Sequence, residues 1–485
     1  MKKIISILLA IVMPFTITVP AFAVESDATT SSSYDGNPVI IVRGIDFAGL
    51  TYENGEKALN VSAGTIFSAL TNGFLGMLKL KDTQSVLDGV FLAAKEIFDP
   101  IACDKDGNPY MFVSMKQYPE SMASYPDFVD ALPDGAEEGI VKTAVEKYGA
   151  ENTYFFTYYW RKTPEEIASE LNGFVETAKE KSGKDKVNII CASMGGMVTT
   201  AYFYYYGSEN VESAVFLSGA QNGTYVCGDA LNGRIVFDGD VLVDFICNAA
   251  GDNFFLTLMV HVFDMLGAVD FIADIANDTV SSSFDRGNDL MLRDSLGAFC
   301  GFWALCPDAD FESGVENIFG GHEDEYPVLL DKLDGIKEFV FSTEETLTKA
   351  MSDGVKVSFV SNYNSPLVPV YERANLNGDN VLETELTSNF ATVAPLGETL
   401  PKSYIAKYDS KYISPDKVID AATTPFKEYT WFVKDAPHVA ADYNTGFSKF
   451  TFTLLESETQ PTIDTFEEYP QFMIADEFLF VSPLQ

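Results

Sequence analysis

The stretch that most constrains this chain runs from residue 187 to residue 197 and reads Val-Asn-Ile-Ile-Cys-Ala-Ser-Met-Gly-Gly-Met. Its first half is an apolar run, which predicts a buried strand of a parallel sheet. Residues 194 to 206 then continue with helical spacing. Small residues lie on both sides of Ser193, as required where a strand and a helix approach closely around a strained serine backbone. The stretch therefore predicts a sharp strand-to-helix turn with Ser193 at its tip.

The match to the Gly-x-Ser-x-Gly pattern of a nucleophile elbow is imperfect. Cys191 stands where the first glycine is expected, although cysteine is small enough for that position. Two interpretations follow from the motif. Ser193 is either the nucleophile of a hydrolase or a residue that only caps the following helix.

The N-terminus has the pattern of an export signal. Two lysines precede an apolar segment at residues 4–13, and residues 21–23 (Ala-Phe-Ala) form a small-x-small cleavage site. A membrane anchor is the alternative, but Pro14 interrupts the apolar segment, which is shorter than the roughly 20 residues that a spanning helix needs. We therefore expect a secreted, extracellular protein that is cleaved after Ala23.

The composition is strongly acidic, with 71 Asp and Glu against 32 Lys and Arg and a formal net charge of −39. Such a surface repels nucleic acid and anionic membranes, so we expect neither a nucleic-acid partner nor a stable membrane anchor. The six cysteines are too sparse for a disulfide framework and have no metal-ligand spacing. A bridge between Cys300 and Cys306 remains open, and so does the oligomeric state.

Strand and helix patterns alternate along much of the chain, which predicts an α/β fold with a mostly parallel central sheet flanked by helices. Residues 152–161 are rich in aromatics and predict a strand, and residues 163–181 predict a helix. The predicted organisation is a signal peptide at 1–23, a flexible segment at 24–37, a first core part at 38–222 with a helical insertion at about 50–150, a large helical cap insertion at 223–348, a second core part at 349–456 and a C-terminal extension at 457–485.

A nucleophilic serine in such a fold needs a general base late in the chain. The chain has three histidines. His261 lies in an apolar helical pattern, and His322 lies in a loop of the predicted cap. His438 follows an apolar strand pattern at 429–433 and a short loop, so we predict that His438 is the base. The alternative is an ordinary loop histidine.

The acid and the oxyanion donors are predicted from loops that follow strand patterns. Asp379 lies in an Asn-Gly-Asp-Asn sequence after the strand pattern at 355–360, where a carboxylate could orient the imidazole. The alternative is a simple turn, with Asp416 and Asp420 as fallback acids. For the oxyanion hole, we expect one backbone N–H from Ile45 and the other from Met194.

Five segments occur in the order found in the α/β-hydrolase superfamily, and the chain resembles that superfamily over about residues 38 to 450. The segments are Arg43-Gly44, Tyr158-Tyr159-Trp160-Arg161, Ser193-Met194-Gly195-Gly196, Gly378-Asp379 and Pro437-His438. The Trp-Arg pair, the long cap and the sequence at 301–307 look like the lecithin:cholesterol acyltransferase-like lipase branch. The resemblance implies a Ser-Asp-His triad and acyl-ester chemistry.

The predicted export signal, the candidate site residues and this resemblance together lead us to expect an exported serine ester hydrolase that acts on lipid-like acyl esters and needs no metal or organic cofactor. Two alternatives stay open. One is acyl transfer to an alcohol or sterol acceptor through the same serine. The other is a catalytically idle hydrolase fold that serves as a binding protein.

Overall fold

The computed structural model describes residues 34–46, 49–58, 101–108, 113–132, 139–234, 292–367, 373, 375–408, 410–438, 440 and 446–485. Within these ranges the strands are Val39–Val42 (β1), Thr51–Tyr52 (β2), Val113–Ser114 (β3), Thr153–Phe156 (β4), Val187–Ala192 (β5), Val211–Leu217 (β6), Lys356–Tyr363 (β7), Thr392–Val393 (β8), Ile419–Asp420 (β9), Thr430–Lys434 (β10), Phe472–Ala475 (β11) and Val481–Pro483 (β12).

The α-helices, in the same ranges, are Pro126–Ala131 (α1), Gly139–Tyr148 (α2), Pro164–Ser182 (α3), Met194–Tyr206 (α4), Tyr225–Leu231 (α5), Cys300–Trp303 (α6), Asp308–Phe319 (α7), Pro327–Phe341 (α8), Thr343–Ser352 (α9), Thr384–Thr387 (α10), Lys402–Tyr408 (α11) and Gly446–Leu455 (α12). Short 3-10 turns lie at Met122–Ser124, Ala150–Asn152, Leu296–Ala298, Glu323–Glu325 and Ala421–Thr423.

The central sheet has eight strands in the order β12-β11-β10-β7-β6-β5-β1-β4. Every neighbouring pair is parallel except β11 with β12, which is antiparallel. Parallel strands end at one common edge, and loops that follow them meet there. Because β5, β6, β7 and β10 are consecutive in the sheet, the loops after them lie side by side.

Both faces of the sheet are covered, which explains why its strands are continuous apolar runs. In β1, Ile40 and Val42 point into one core, where α3 and α4 pack. Val39 and Ile41 point into the other, which α2 and α12 cover. The predicted α/β class, with a mostly parallel central sheet flanked by helices, is confirmed.

Individual elements differ from their predicted limits. The strand expected at 152–161 spans only Thr153–Phe156. Trp160 and Arg161 lie in the loop that follows, where both are buried. The helix expected at 163–181 is α3, and Thr163 and Glu166 cap its start reciprocally. The predicted domain boundaries stay predictions.

The C-terminal residues extend the sheet. β11 pairs with β10, and β12 covers the outer edge of β11. The regular elements described between 223 and 348 are helices, α5 to α9 with two short 3-10 turns. The cap helices expected near residues 254–275, together with His261, lie outside the described residues. In the described ranges no helix has the length and hydropathy needed to cross a bilayer.

Candidate active site

Ser193 lies at the turn between β5 and α4 with φ 54° and ψ −129°. A positive φ is costly for a residue with a Cβ, so it persists only where its surroundings enforce it. Here the Ser193 N–H donates to the Leu217 carbonyl (3.2 Å), and its carbonyl accepts from Gly196 (2.9 Å) and Ala220 (2.7 Å). In the described residues of α4, no N–H donates a capping bond to the Ser193 hydroxyl. The serine is therefore displayed on the turn and does not cap α4.

Glycines around Ser193 allow strand, loop and helix to approach closely. A Cβ on Gly44 would lie 2.8 Å from the Cβ of Ser193 and 3.3 Å from its Oγ. A Cβ on Gly195 would collide with the carbonyl oxygen of Val42, and one on Gly196 would lie 2.9 Å from the Cα of Gly219. The loop after β1 therefore lies directly against the serine.

Asp379 and His438 are in direct contact. The imidazole Nδ1 of His438 is 2.8 Å from Oδ2 of Asp379, and the His438 backbone N–H donates to the Asp379 carbonyl at 2.7 Å. Oδ1 of Asp379 accepts from the backbone N–H groups of Val381 (3.0 Å) and Leu382 (2.8 Å). The carboxylate is fully buried. A donating Nδ1–H fixes the tautomer in which Nε2 can accept a proton.

The end of β7 holds both loops in place. The Asn364 N–H donates to Oδ1 of Asn377 (2.6 Å), just before Asp379 in the chain. The Asn364 side chain also donates to Asp435 (2.6 Å), and the Asn362 side chain donates to the Pro437 carbonyl (3.0 Å). These two asparagines were not predicted as site residues, because an asparagine in an apolar strand pattern carries no signal of its partner.

The two fallback acids are engaged elsewhere. Asp416 accepts from Lys434 (2.9 Å) and from the Tyr363 hydroxyl (3.0 Å). Asp420 accepts from the Tyr404 hydroxyl at 2.9 Å and from a backbone N–H. None of these hydrogen bonds involves His438, whereas Asp379 contacts this histidine directly.

His322 has a different environment. Its Nδ1 is 3.0 Å from Glu325 on the exposed surface of the cap. His438, in contrast, is only 7% exposed. Among the described histidines, His438 is thus the one held by a buried carboxylate.

The two predicted oxyanion donors lie on either side of Ser193. Met194 follows it as the first residue of α4 and is buried. Ile45 follows Gly44, on which a Cβ would lie 2.8 Å from the Cβ of Ser193, and is half-buried. Both residues therefore belong to segments close to the serine, and their role as oxyanion donors stays a prediction.

Helices α5 and α6 contact this region at two points. A Cβ on Gly301 in α6 would overlap the Trp160 carbonyl and lie 3.2 Å from Cε of Met194. Glu383, buried shortly after the Asp379 turn, accepts from the Thr224 hydroxyl (3.4 Å) and the Tyr225 N–H (3.3 Å) at the start of α5. α6 is therefore packed against the start of α4, and the start of α5 is packed against the segment that follows Asp379.

The cysteines near the site are not reactive groups. Burial raises the pKa of the Cys191 thiol to about 12, so it is protonated at neutral pH. Cys300 and Cys306, whose pairing the sequence left open, are both buried free thiols. Over the described ranges, no His, Cys, Asp and Glu side chains cluster as metal ligands.

Comparisons with known proteins add little. No protein-family model matches the chain, and no curated protein matches it. Among solved structures, one described as "The crystal structure of Tle4-Tli4 complex" aligns with a TM-score of 0.27 and 13% identity, covering 67% of this chain and 75% of its own. The fold assignment rests on the sheet order and register given above.

Proposed function

We propose that this chain is an exported serine hydrolase that cleaves acyl esters, with Ser193, His438 and Asp379 as its triad. The observation that carries the proposal is the 2.8 Å contact between His438 and buried Asp379. This pair lies on loops that leave the same sheet edge as Ser193, whose backbone has the strained conformation of a nucleophile elbow.

In the proposed reaction, Nε2 of His438 takes the proton from the Ser193 hydroxyl while Oγ attacks the ester carbonyl carbon. Asp379 holds the imidazole through Nδ1 and stabilises its protonated form. The N–H groups of Ile45 and Met194 bind the oxyanion, at about 2.7 to 4 kcal/mol per donor in other enzymes. His438 then gives its proton to the leaving alcohol, and water hydrolyses the acyl-enzyme by the same steps.

A lipid-like acyl group is the finer part of the proposal. Its support is the predicted cap, because its helix α6 packs beside Met194 and its apolar side chains belong to the same buried core as Met194. A cap next to the nucleophile gives an acyl chain an apolar surface on which to bind. The export signal predicted at 1–23 supports the proposal that this activity is extracellular.

The test is hydrolysis of p-nitrophenyl esters from acetate to palmitate. The wild type is compared with Ser193→Ala, His438→Ala and the matched control His322→Ala, which removes an exposed histidine. We expect both site variants to lose activity by at least about a thousandfold and the control to keep it. A rise of kcat/KM with chain length supports the lipid-like acyl group.

Two results would contradict the proposal. Turnover that survives in Ser193→Ala assigns the chemistry to another residue. If the wild type cleaves no ester and a fluorophosphonate does not label Ser193, the result favours the alternative of a catalytically idle binding protein. Products that include an acylated alcohol, when an alcohol is added, identify acyl transfer.

A further inference from the structure

We infer that Tyr158 is a positioning residue for the oxyanion site. By donating to the Arg43 carbonyl, Tyr158 fixes the backbone segment that carries the Ile45 N–H. The inference rests on the proposed function. Its basis is one hydrogen bond, in which the Tyr158 hydroxyl donates to the Arg43 carbonyl at 3.0 Å.

The tyrosine itself is firmly placed. Its side chain is 2% exposed, and its ring stacks on Phe156 with centroids 5.7 Å apart. Burial raises the pKa of the Tyr158 hydroxyl well above its usual range, so the group stays protonated and donates throughout the working pH range. A buried hydroxyl that donates to a backbone carbonyl fixes the orientation of that peptide group.

The bond occurs where regular strand pairing stops. β1 pairs with β4 up to Val42 and Phe156, and the Arg43 N–H still donates to the Phe156 carbonyl at 3.3 Å. Beyond that point the donor to β1 is a side-chain hydroxyl, where a ladder would use a backbone N–H. The Tyr158 hydroxyl therefore adds one hydrogen bond just after the end of β1, at the peptide group that precedes Gly44 and Ile45.

The Arg43 carbonyl also lies close to the first turn of α4. A Cβ on Gly195, in the first turn of α4, would lie 2.8 Å from the Arg43 oxygen. The side chains of Arg43 and Asp46 form an ion pair at 3.0 Å, which closes the turn around Ile45. The peptide before Gly44 thus lies between Tyr158 and α4, and Tyr158 is its side-chain hydrogen-bond donor.

A merely structural tyrosine would affect stability without changing the chemical step. A positioning role predicts a specific pattern, because an oxyanion donor acts only when negative charge develops on the carbonyl oxygen. Loss of the hydroxyl should lower kcat and leave KM for a soluble ester unchanged. It should weaken a tetrahedral boronic acid adduct, whose oxygen occupies the same position, by a similar factor.

The experiment compares wild type, Tyr158→Phe and Tyr154→Phe with p-nitrophenyl butyrate and butylboronic acid. Tyr154 is a buried tyrosine of β4 whose hydroxyl has no hydrogen-bond partner in the described structure, so it controls for loss of a buried hydroxyl. Rates are expressed per site titrated with a fluorophosphonate, which removes any effect of a smaller folded fraction. Circular dichroism at increasing temperature measures stability separately.

We expect Tyr158→Phe to lower kcat by about tenfold to a hundredfold, with KM and the pH midpoint unchanged, and to raise the boronic acid Ki by a similar factor. Tyr154→Phe should match the wild type. A Tyr158→Phe enzyme whose kcat and Ki match those of Tyr154→Phe overturns this inference alone. A wild type without esterase activity overturns the proposed function and this inference with it.

Discussion

At the scale of single residues, the candidate site is defined by directed hydrogen bonds. Asp379 is buried, and each of its carboxylate oxygens has a fixed partner: backbone N–H groups on one side and His438 on the other. The sequence predicted Asp379 from its turn after a strand pattern and kept Asp416 and Asp420 as fallback acids, because turn residues alone do not show which carboxylate meets a distant histidine. Ser193 and His438 could be predicted, because small flanking residues and an apolar strand mark their positions locally.

Asp379→Asn should leave the fold intact and lower kcat by about 10³- to 10⁴-fold. The Val381 and Leu382 N–H groups hold the amide oxygen, so the amide NH2 faces Nδ1 and favours the wrong tautomer. The assay is p-nitrophenyl butyrate hydrolysis across pH. Asp416→Asn is the control, since its partners are Lys434 and Tyr363. Activity that depends on Asp416 and survives the change at Asp379 would reverse the assignment.

Gly44→Ala tests the close approach of the β1 loop to the nucleophile. The new methyl would lie 2.8 Å from the Cβ of Ser193, so the serine or the loop must shift. We expect kcat to fall by about a hundredfold, since a displacement of about 1 Å in an active site costs that much. Gly173→Ala is the control, because a Cβ there meets nothing within 4 Å. Equal activity of the two variants would show that the loop is not part of the site.

At the scale of secondary structure, strands and helices were predicted where local chemistry decides. Apolar runs identified β5, β6, β7 and β10, and the Thr-Pro-Glu-Glu sequence identified the start of α3. The aromatic strand was predicted too long because aromatic content cannot separate β4 from the buried loop after it. The asparagines at the end of β7 were not recognised, because their partners come from distant loops.

The start of α3 offers a test of element stability apart from catalysis. Thr163 Oγ1 accepts from the Glu166 N–H at 3.2 Å, and the Glu166 carboxylate accepts from the Thr163 N–H at 2.9 Å. Thr163→Ala should lower the free energy of unfolding by about 1 kcal/mol and leave kcat unchanged. Urea unfolding measures the change.

The matched control for the capping test is Thr177→Ala in the same helix. The Thr177 hydroxyl bonds back to the Gly173 carbonyl through a solvent-exposed hydrogen bond, and the residue is half-buried. Alanine has a higher helix propensity, so this variant should be neutral or slightly more stable. If both threonine variants lose the same stability, the capping interactions do not stabilise α3.

At the scale of the whole molecule, the sheet is completed by the last residues of the chain. β11 lies between β10 and β12, and Trp431 in β10 donates from its indole to the Tyr469 carbonyl at 3.0 Å. The sequence predicted only a C-terminal extension at 457–485, since apolar content cannot reveal where a terminal strand pairs. The strongly negative charge, in contrast, does not determine the fold.

Deletion of residues 457–485 should therefore make the protein insoluble. It removes β11 and β12, exposes the edge of β10 and uncovers retained apolar residues such as Phe450, whose ring lies 4.9 Å from that of Tyr469. The soluble fraction and size-exclusion profile measure the effect. Phe478→Ser, which changes an exposed tail residue, should remain soluble. A soluble, folded deletion variant would show that the sheet is stable without its last strands.

The contact between His438 and Asp379 joins the segments that follow β7 and β10, two neighbouring strands of the sheet. Between Asp379 and β10 the chain forms the two-stranded sheet of β8 and β9, and the apolar cluster around Ala391 and Ile419 also includes Tyr363 of β7 and Phe432 of β10. Residues 384–429 therefore pack on the same two strands that precede Asp379 and His438, so a foreign domain grafted in their place would have to replace those contacts.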